Sequence, residues 1–152
     1  MRFLTCALIV TVVALSCKDD QLYGINADTR TYLLANKKWQ NSAIYVTNAQ
    51  GNVIRDEYTP LPEYRKDDYL LLRSDSTYEL NDNVAKDTSS AGAVLSNGRW
   101  QLVMNEQFID FNPQTGAVFG DSVQITMIDG SSFIVQMPAI DGTRYFSFRA
   151  MP

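Results

Sequence analysis

The stretch Tyr69-Leu-Leu-Leu-Arg-Ser-Asp-Ser-Thr-Tyr-Glu-Leu-Asn81 contains the clearest local folding signal in the chain. Its two ends, Tyr69 to Arg73 and Thr77 to Asn81, are short runs of residues that favour strands. Between them, Ser74-Asp75-Ser76 has the polar composition of a tight turn. Side chains alternate between the two faces of a strand. One face would therefore carry Leu70, Leu72, Tyr78 and Leu80. The stretch predicts a β-hairpin with one apolar face.

Segments of the same character continue beyond this hairpin. Six further strands are predicted: Lys38 to Thr47, Gly98 to Val103, Phe108 to Asn112, Ser122 to Ile128, Ser132 to Pro138 and Thr143 to Arg149. Turn residues such as Asp129-Gly130 and Asp141-Gly142 separate them, and even spacing with short turns favours consecutive antiparallel pairing. Eight strands paired in this way bury their apolar face by closing on themselves. The predicted fold class is all-β, an eight-stranded antiparallel up-and-down barrel.

The remaining segments have weaker signals. Ala27 to Asn36 is predicted to form one short N-terminal helix that packs against an end of the barrel, with Asp28 as its cap. Val53 to Tyr58 is only weakly strand-like. Thr59 to Asp68 contains two prolines, which lack amide donors, and is expected to be an ordered loop across an end of the barrel. Asp82 to Asn97 is expected to be a long mobile loop.

Alternation along the later strands predicts which side chains point into the barrel. They are Trp100, Leu102, Ile109, Phe111, Val123, Ile125, Met127, Phe133, Val135, Phe146 and Phe148. In the first strand, Trp39, Ala43 and Tyr45 would share one face, and Ile44 and Val46 the other. A membrane-spanning barrel is disfavoured, because its strands need about 9 to 11 residues with apolar side chains outward.

The interior of such a barrel has two possible uses. In the first, one end stays open and binds a small apolar molecule. The candidate ligand contacts are then Trp39, Leu72, Tyr78, Trp100, Phe111, Met127, Phe133 and Phe146. In the second, large side chains fill the interior, and the loops contact another envelope protein or a glycan. Tyr58 and Tyr64 are the candidate anchors for a protein partner, since aromatic residues are enriched at interfaces.

Composition excludes most enzymes and several partners. The chain has no histidine, and its two cysteines, Cys6 and Cys17, are both near the N-terminus. Ser-His-Asp and Cys-His catalysis and the usual zinc sites are therefore excluded, and no catalytic residue, metal or cofactor is predicted. Asp67 and Asp68 are interpreted as loop anchors. The acidic balance also disfavours nucleic acid as a partner.

The first residues predict an export signal. An apolar run from Phe3 to Leu15 follows Arg2 and is too short to span a bilayer, which takes about 20 residues. Such a run is typical of a cleaved signal peptide. It ends at Ser16-Cys17, a junction that resembles the lipobox of bacterial lipoproteins, which implies acylation of Cys17 and a membrane anchor. The predicted divisions are a signal peptide, 1–16, a lipidated tether, 17–26, and a barrel domain, 27–152.

The residues directly after the cysteine, Lys18, Asp19 and Asp20, resemble the short tag that exports such lipoproteins to the outer face of the outer membrane. Removal of residues 1–16 takes away one basic residue, so 12 basic and 17 acidic side chains remain, a net charge of −5. The expected location is therefore the cell surface, with the protein held to the outer membrane by its lipid.

Several motifs in the folded part are similar to one known family. They are Trp39, Leu61-Pro62-Glu63, Lys66-Asp67-Asp68-Tyr69-Leu70, Tyr78 and Gly98-Arg99-Trp100. From about Leu33 to Phe148 the chain resembles the lipocalin-like domain of Bacteroidetes outer-membrane lipoproteins. The resemblance implies a lipocalin-like barrel without naming its ligand, because fold alone does not assign activity. Many relatives carry a cysteine at the position of Tyr64, and this chain does not.

Overall fold

The computed structural model describes residues 27–86, 94–116, 118–119 and 122–152. The elements in these ranges are α1 Ala27–Leu34, β1 Lys37–Thr47, β2 Val53–Asp56, α2 Glu63–Lys66, β3 Tyr69–Leu72, β4 Thr77–Asn81, β5 Val94–Val103, β6 Phe108–Thr115, β7 Ser122–Ile128, β8 Ser132–Ala139 and β9 Gly142–Ala150. From β3 to β9 each strand pairs antiparallel with the next, and β1 pairs with both β3 and β9. The prediction of a closed, eight-stranded antiparallel barrel is confirmed.

The strand β2 is outside this barrel and lies along the edge of β1. Residues 37–40 of β1 pair with β3, whereas Tyr45–Thr47 pairs with β2 on the same side. The opposite side of β1 pairs with β9 over nearly its whole length. One side of β1 therefore pairs first with β3 and then with β2. The segment 57–68, which contains α2, connects β2 to β3.

Two strands extend three or four residues beyond their predicted bounds. β5 begins at Val94, inside the predicted loop, and β6 continues through Pro113 to Thr115. Proline fits there because the β5–β6 register shifts next to its partner Gly98, and a bulge tolerates a missing amide donor. The backbones approach so closely that a Cβ atom on Gly98 would lie 2.2 Å from the carbonyl oxygen of Asn112.

The predicted inner face is largely confirmed. Buried or partly buried core positions include Leu70, Leu72, Tyr78, Leu80, Trp100, Leu102, Ile109, Phe111, Val123, Ile125, Phe133, Val135, Phe146 and Phe148. Met127 is the exception, with 37 % of its surface exposed. The register of β7 against β8 shifts between Ile125 and Met127. One extra residue in β7 turns Met127 outward, and Ile128 takes the inner position opposite Phe133.

A second bulge changes the faces of β1. Between Asn41 and Ala43 the register of β1 against β9 shifts by one residue. Trp39 lies in the core, but beyond the bulge Ile44 is paired with the core residue Phe146 and faces inward, so Ala43 and Tyr45 face outward. The prediction that Trp39, Ala43 and Tyr45 share a face is wrong. A bulge reverses the alternation of every residue that follows it.

The end of the barrel that carries the turns 73–76, 104–107 and 129–131 is here called the closed end, because residues 30–36 pack across it. Arg30 donates a hydrogen bond to the carbonyl of Glu106, and Lys37 Nζ donates to the carbonyl of Gly130 at 3.0 Å. The amide of Asn36 donates to the carbonyl of Leu72 at 2.6 Å. The opposite end, which carries the β8–β9 turn at residues 140–141, is called the rim end. The segment 57–68, of which residues 59–68 are predicted to cross an end of the barrel, lies along the edge of β1, where the amides of Glu57 and Tyr58 donate to Ile44 and Gln40 donates to Lys66. The signal peptide, the tether and the predicted cap at Asp28 lie outside the residues whose side chains are described.

Candidate functional site

Four of the eight candidate ligand contacts lie in the closed half of the core: Trp39, Leu72, Trp100 and Phe133, each with at most 4 % of its surface exposed. The indole nitrogen of Trp39 donates to the carbonyl of Leu34 at 2.8 Å. That of Trp100 donates to the carbonyl of Arg73 at 3.0 Å. Both tryptophans therefore use their polar atom to attach a connecting segment to the barrel. These contacts give them a structural role.

Three other candidates, Tyr78, Phe111 and Phe146, join a chain of aromatic contacts across the interior. Tyr78 meets Phe111 edge to face at 5.2 Å between ring centroids. Phe119 continues the chain, at 5.3 Å from Phe111 and 4.9 Å from Phe146. It also lies 6.2 Å from Phe148. Phe119 follows β6, outside every predicted strand, so alternation gave no reason to place it in the core. Met127, the eighth candidate, lies on the outer face.

The rim end contains polar residues on the inner face that the sequence-based prediction did not assign to a site. Trp39, Leu70 and Leu80 are paired across β1, β3 and β4 and all belong to the core. Two positions further toward the rim are Asn41 in β1, Asp68 directly before β3 and Asp82 directly after β4. Residues two positions apart share a face of a strand. Asn41, Asp68 and Asp82 therefore form a row on the inner face, here called the rim row. The signal was present in the sequence, since both aspartates extend the alternation of the hairpin.

Two members of the rim row, Asn41 and Asp68, each carry a buried oxygen that lacks a donor among the described residues. Asp68 and Asp82 have only 7 % and 3 % of their surface exposed. No residue in the described part of the chain donates a hydrogen bond to Oδ1 of Asn41 or to Oδ1 of Asp68. The nearest cation to Asp68 is the guanidinium of Arg65, whose Nη1 lies 3.9 Å from Oδ2 as an ion pair. A buried oxygen without a donor lowers the free energy of unfolding by about 1–3 kcal/mol. These two oxygens therefore destabilise the fold.

The electrostatics of the row centre on Asp68. Burial, which disfavours the charged form, is the main cause that raises the pKa of Asp68 to about 6. The charges of Asp82 and Asp67 raise it further, whereas Arg65 and Lys86 lower it. Asp67 itself points to the loop, where it accepts hydrogen bonds from the amides of residues 84 and 85 at 2.9 and 2.8 Å. The loop-anchoring role predicted for the two aspartates therefore applies to Asp67, while Asp68 faces the interior.

An ion-pair network closes part of the rim near β2. Glu57 binds Arg144 with Nε at 2.7 Å, although that N–H is not directed at the oxygen, and the Nη2 group donates at 3.2 Å. Glu57 also accepts from Arg55 at 2.9 Å, and Arg55 makes a bidentate pair with Asp141. Burial raises the pKa of Glu57, but the bonds from Arg144 and Arg55 outweigh it and the pKa is lowered. The network holds β2 to the β8–β9 turn.

Other features of the surface are less specific. A depression of about 500 Å³ on β5 and β6 is lined by residues that include Arg99, Gln101, Asp110 and Asn112. Within the described ranges, no cluster of three His, Cys, Asp or Glu side chains has the geometry of a metal site. The described residues also include no helix with the length and hydrophobicity needed to cross a bilayer.

The chain was compared with known proteins. Neither a protein-family model nor a curated protein sequence matches it.

Proposed function

We propose that this protein is an envelope lipoprotein, anchored through acylated Cys17, whose lipocalin-like barrel binds a small amphipathic molecule at its rim end. The observation that carries the proposal is the rim row beside the aromatic chain. An interior that served stability alone would have no reason to bury oxygens without donors. Apolar walls with a few convergent polar groups are typical of small-molecule sites. The location at the outer membrane rests on the N-terminal motifs.

The two tryptophans are structural, so binding is assigned to the half of the interior that Phe119 enters from the rim. Its apolar contacts are the rings of the aromatic chain, Tyr78, Phe111 and Phe146, of which Tyr78 and Phe111 are the cross-strand partners of Leu72 and Trp100. Phe119 lies between these rings. The hydroxyl of Tyr78 lies 3.1 Å from Ser96 Oγ, a buried pair that adds a polar group to the same half. A ligand with an apolar body and a polar head is compatible with this distribution.

Native mass spectrometry of the full chain, purified gently from its own host or a related cell, tests the binding proposal. Cys17→Ser removes the acyl group, so that any added mass belongs to a bound molecule. We expect an added mass that disappears on denaturation and that is lost in Phe146→Ala but kept in Met127→Ala. A mass equal to that of the polypeptide alone, from chains folded by circular dichroism, would contradict the proposal.

The anchor has its own test. Cells given labelled palmitate should incorporate the label into the wild-type chain and not into Cys17→Ser. Protease added to intact cells should degrade the wild-type chain, and alanine at Lys18, Asp19 and Asp20 should protect it. Equal labelling of wild type and Cys17→Ser would contradict acylation of this cysteine.

One observation favours a second function, that of an accessory module with a filled barrel. The aromatic chain from Tyr78 to Phe148 crosses the interior without a break larger than 6.2 Å between ring centroids. In that case the segment 58–64 would bind an envelope protein or a glycan through Tyr58 and Tyr64. Deletion of residues 58–64 should then release a co-purifying partner from the folded barrel, and unchanged co-purification would count against this function.

A further inference from the structure

We infer that the rim end of the barrel binds the ammonium group of an amphipathic amine, with Oδ1 of Asn41 and Oδ1 of Asp68 as its acceptors. This inference rests on the proposed function and specifies the chemical class of the ligand. It depends on the placement of the rim row, on the chemistry of its atoms and on the apolar residues beside it.

The rim row offers acceptors and few donors. An ionised carboxylate can only accept hydrogen bonds, and a carboxamide oxygen is also an acceptor. Asn41 lies in β1, away from the hairpin that the two aspartates flank, and its Oδ1 independently lacks a donor among the residues that the structure describes. An ammonium group has three donors and no acceptor. It is therefore a ligand group that matches the acceptors of Asn41 and Asp68.

The basic residues nearest to the rim row, Arg65 and Lys86, do not donate a hydrogen bond to Oδ1 of Asp68. Arg65 approaches Asp68 from an exposed position and stays at 3.9 Å, beyond hydrogen-bond distance. The ammonium of Lys86 donates to the backbone carbonyl of Asp82. Asp68 Oδ1 consequently has no donor from either, and the pKa of Asp68 remains raised in spite of both positive charges.

An apolar wall lies next to the acceptors. Phe148 is the β9 partner of Asn41, so the two side chains are adjacent on the inner face. The ring of Phe119 lies against Phe148 and Phe146. A ligand whose ammonium reaches Asn41 would place its carbon chain among these rings, and aromatic faces also attract ammonium groups. The site thus favours an amine with an apolar body over a small hydrophilic one.

A metal ion fits these residues less well. Calcium takes six to eight oxygen ligands and magnesium requires near-ideal octahedral geometry. The rim row supplies two carboxylates and one carboxamide, and the described part of the chain contains no cluster of three acidic side chains with metal-binding geometry. An ammonium group needs fewer ligands, and Asn41 and Asp68 supply one carboxamide oxygen and one carboxylate.

Calorimetry with three matched probes tests the inference on the full chain carrying Cys17→Ser. The probes are n-octylammonium, n-octanol and n-octanoate, which share a carbon chain and differ in the head group. We expect n-octylammonium to bind at least about tenfold more tightly than n-octanol, as one charge-assisted hydrogen bond is worth about 1.5–3 kcal/mol. n-Octanoate should bind weakest, because its carboxylate would face the carboxylates of Asp68 and Asp82.

Variants and pH then locate the site. Asp68→Asn and Asn41→Leu should each weaken n-octylammonium about tenfold and leave n-octanol unchanged, whereas Asp110→Asn on the outer face should change neither. At pH 5, about one unit below the pKa of Asp68, roughly a tenth of this carboxyl is ionised, so affinity for n-octylammonium should fall about tenfold. The charged groups that act on Asp68 are Asp67 and Asp82, which oppose this ionisation, and Arg65 and Lys86, which favour it.

The outcomes separate the inference from the proposed function. Equal affinity for n-octylammonium and n-octanol would overturn the ammonium site and keep the apolar binding function. Calcium chloride is the probe for a metal site. If calcium binds, competes with n-octylammonium and no longer binds in Asp68→Asn, the site is a metal site and the ammonium inference is overturned. The absence of binding by any probe would overturn both. Unfolding curves of each variant confirm that a lost affinity is not a lost fold.

Discussion

The closed end and the rim end of this barrel differ in the hydrogen bonding of their buried polar atoms. At the closed end, each tryptophan donates its indole N–H to a backbone carbonyl, of Leu34 for Trp39 and of Arg73 for Trp100. At the rim end, Oδ1 of Asn41 and Oδ1 of Asp68 accept from no described residue. A protein gains stability by satisfying buried polar groups and loses it by leaving them without partners. The contrast indicates that the closed end supports the fold and that the rim end is arranged for another molecule.

The largest effect is expected at the closed end. Trp39→Ala removes a fully buried ring, its edge-to-face contact with Phe133 at 4.8 Å and the donor to Leu34. We expect the free energy of unfolding to fall by about 3–5 kcal/mol in urea denaturation. Trp39→Phe keeps a ring and loses only the donor, so it should cost about 1–2 kcal/mol. A smaller loss for Trp39→Ala than for Trp39→Phe would contradict the assigned role.

The bulge in β7 provides a matched pair of variants at the same end. Ile128 faces the core opposite Phe133, so Ile128→Ala should lower the free energy of unfolding by about 2–3 kcal/mol. Met127 is exposed, and Met127→Ala should cost less than about 0.5 kcal/mol. The reverse order in thermal and urea unfolding would mean that β7 follows simple alternation without a bulge.

At the rim end, the expected change has the opposite sign. The pKa of Asp68 is about 6 in the folded state against 3.8 when unfolded. Between these values the folded state binds more protons, so its stability falls as the pH rises, and the full penalty applies above pH 6. Asp68→Asn should therefore raise the free energy of unfolding at pH 7.5 by about 1–3 kcal/mol.

That gain should shrink as the pH is lowered and vanish below the unfolded pKa of 3.8, where wild-type Asp68 is protonated in both states. Asp67→Ala is the neighbouring control. It removes the acceptor for two loop amides, so it should destabilise the protein. Destabilisation by Asp68→Asn at pH 7.5 would show that the Asp68 carboxylate is already satisfied in the folded protein.

The smallest effect is expected from the ion pairs near β2. Glu57→Gln weakens the bonds to Arg55 and Arg144, which are partly exposed, and should cost about 0.5–1 kcal/mol, less in high salt. Glu63→Gln affects a much more exposed pair with Lys66 and should have no measurable effect. Equal losses in the two variants, measured at low and at high salt, would mean that the network does not hold β2.

The candidate site was only partly predictable. Tyr78, Phe111 and Phe146 were assigned to the interior because each continues an alternating strand, and they lie there. Asp68 and Asp82 could have been recognised in the same way, since each lies two positions beyond an inward leucine. Phe119 could not, because it lies in a connection, where no period relates a residue to a face. Asn41 lies two positions beyond Trp39, but the sequence could not show that β1 lies beside β3, next to the two aspartates.

The sequence by itself determined the strands, their order and most of the inner face. Alternation and turn residues are local signals, so the hairpin from Tyr69 to Asn81 could be predicted without knowledge of its neighbours. Only the tertiary structure decided where alternation reverses, at the bulges after Asn41 and Ile125. A bulge forms because a ladder must fit the neighbouring strand, which is distant in the sequence. For the same reason, only closure of the barrel joined Asn41, Asp68 and Asp82 into one row.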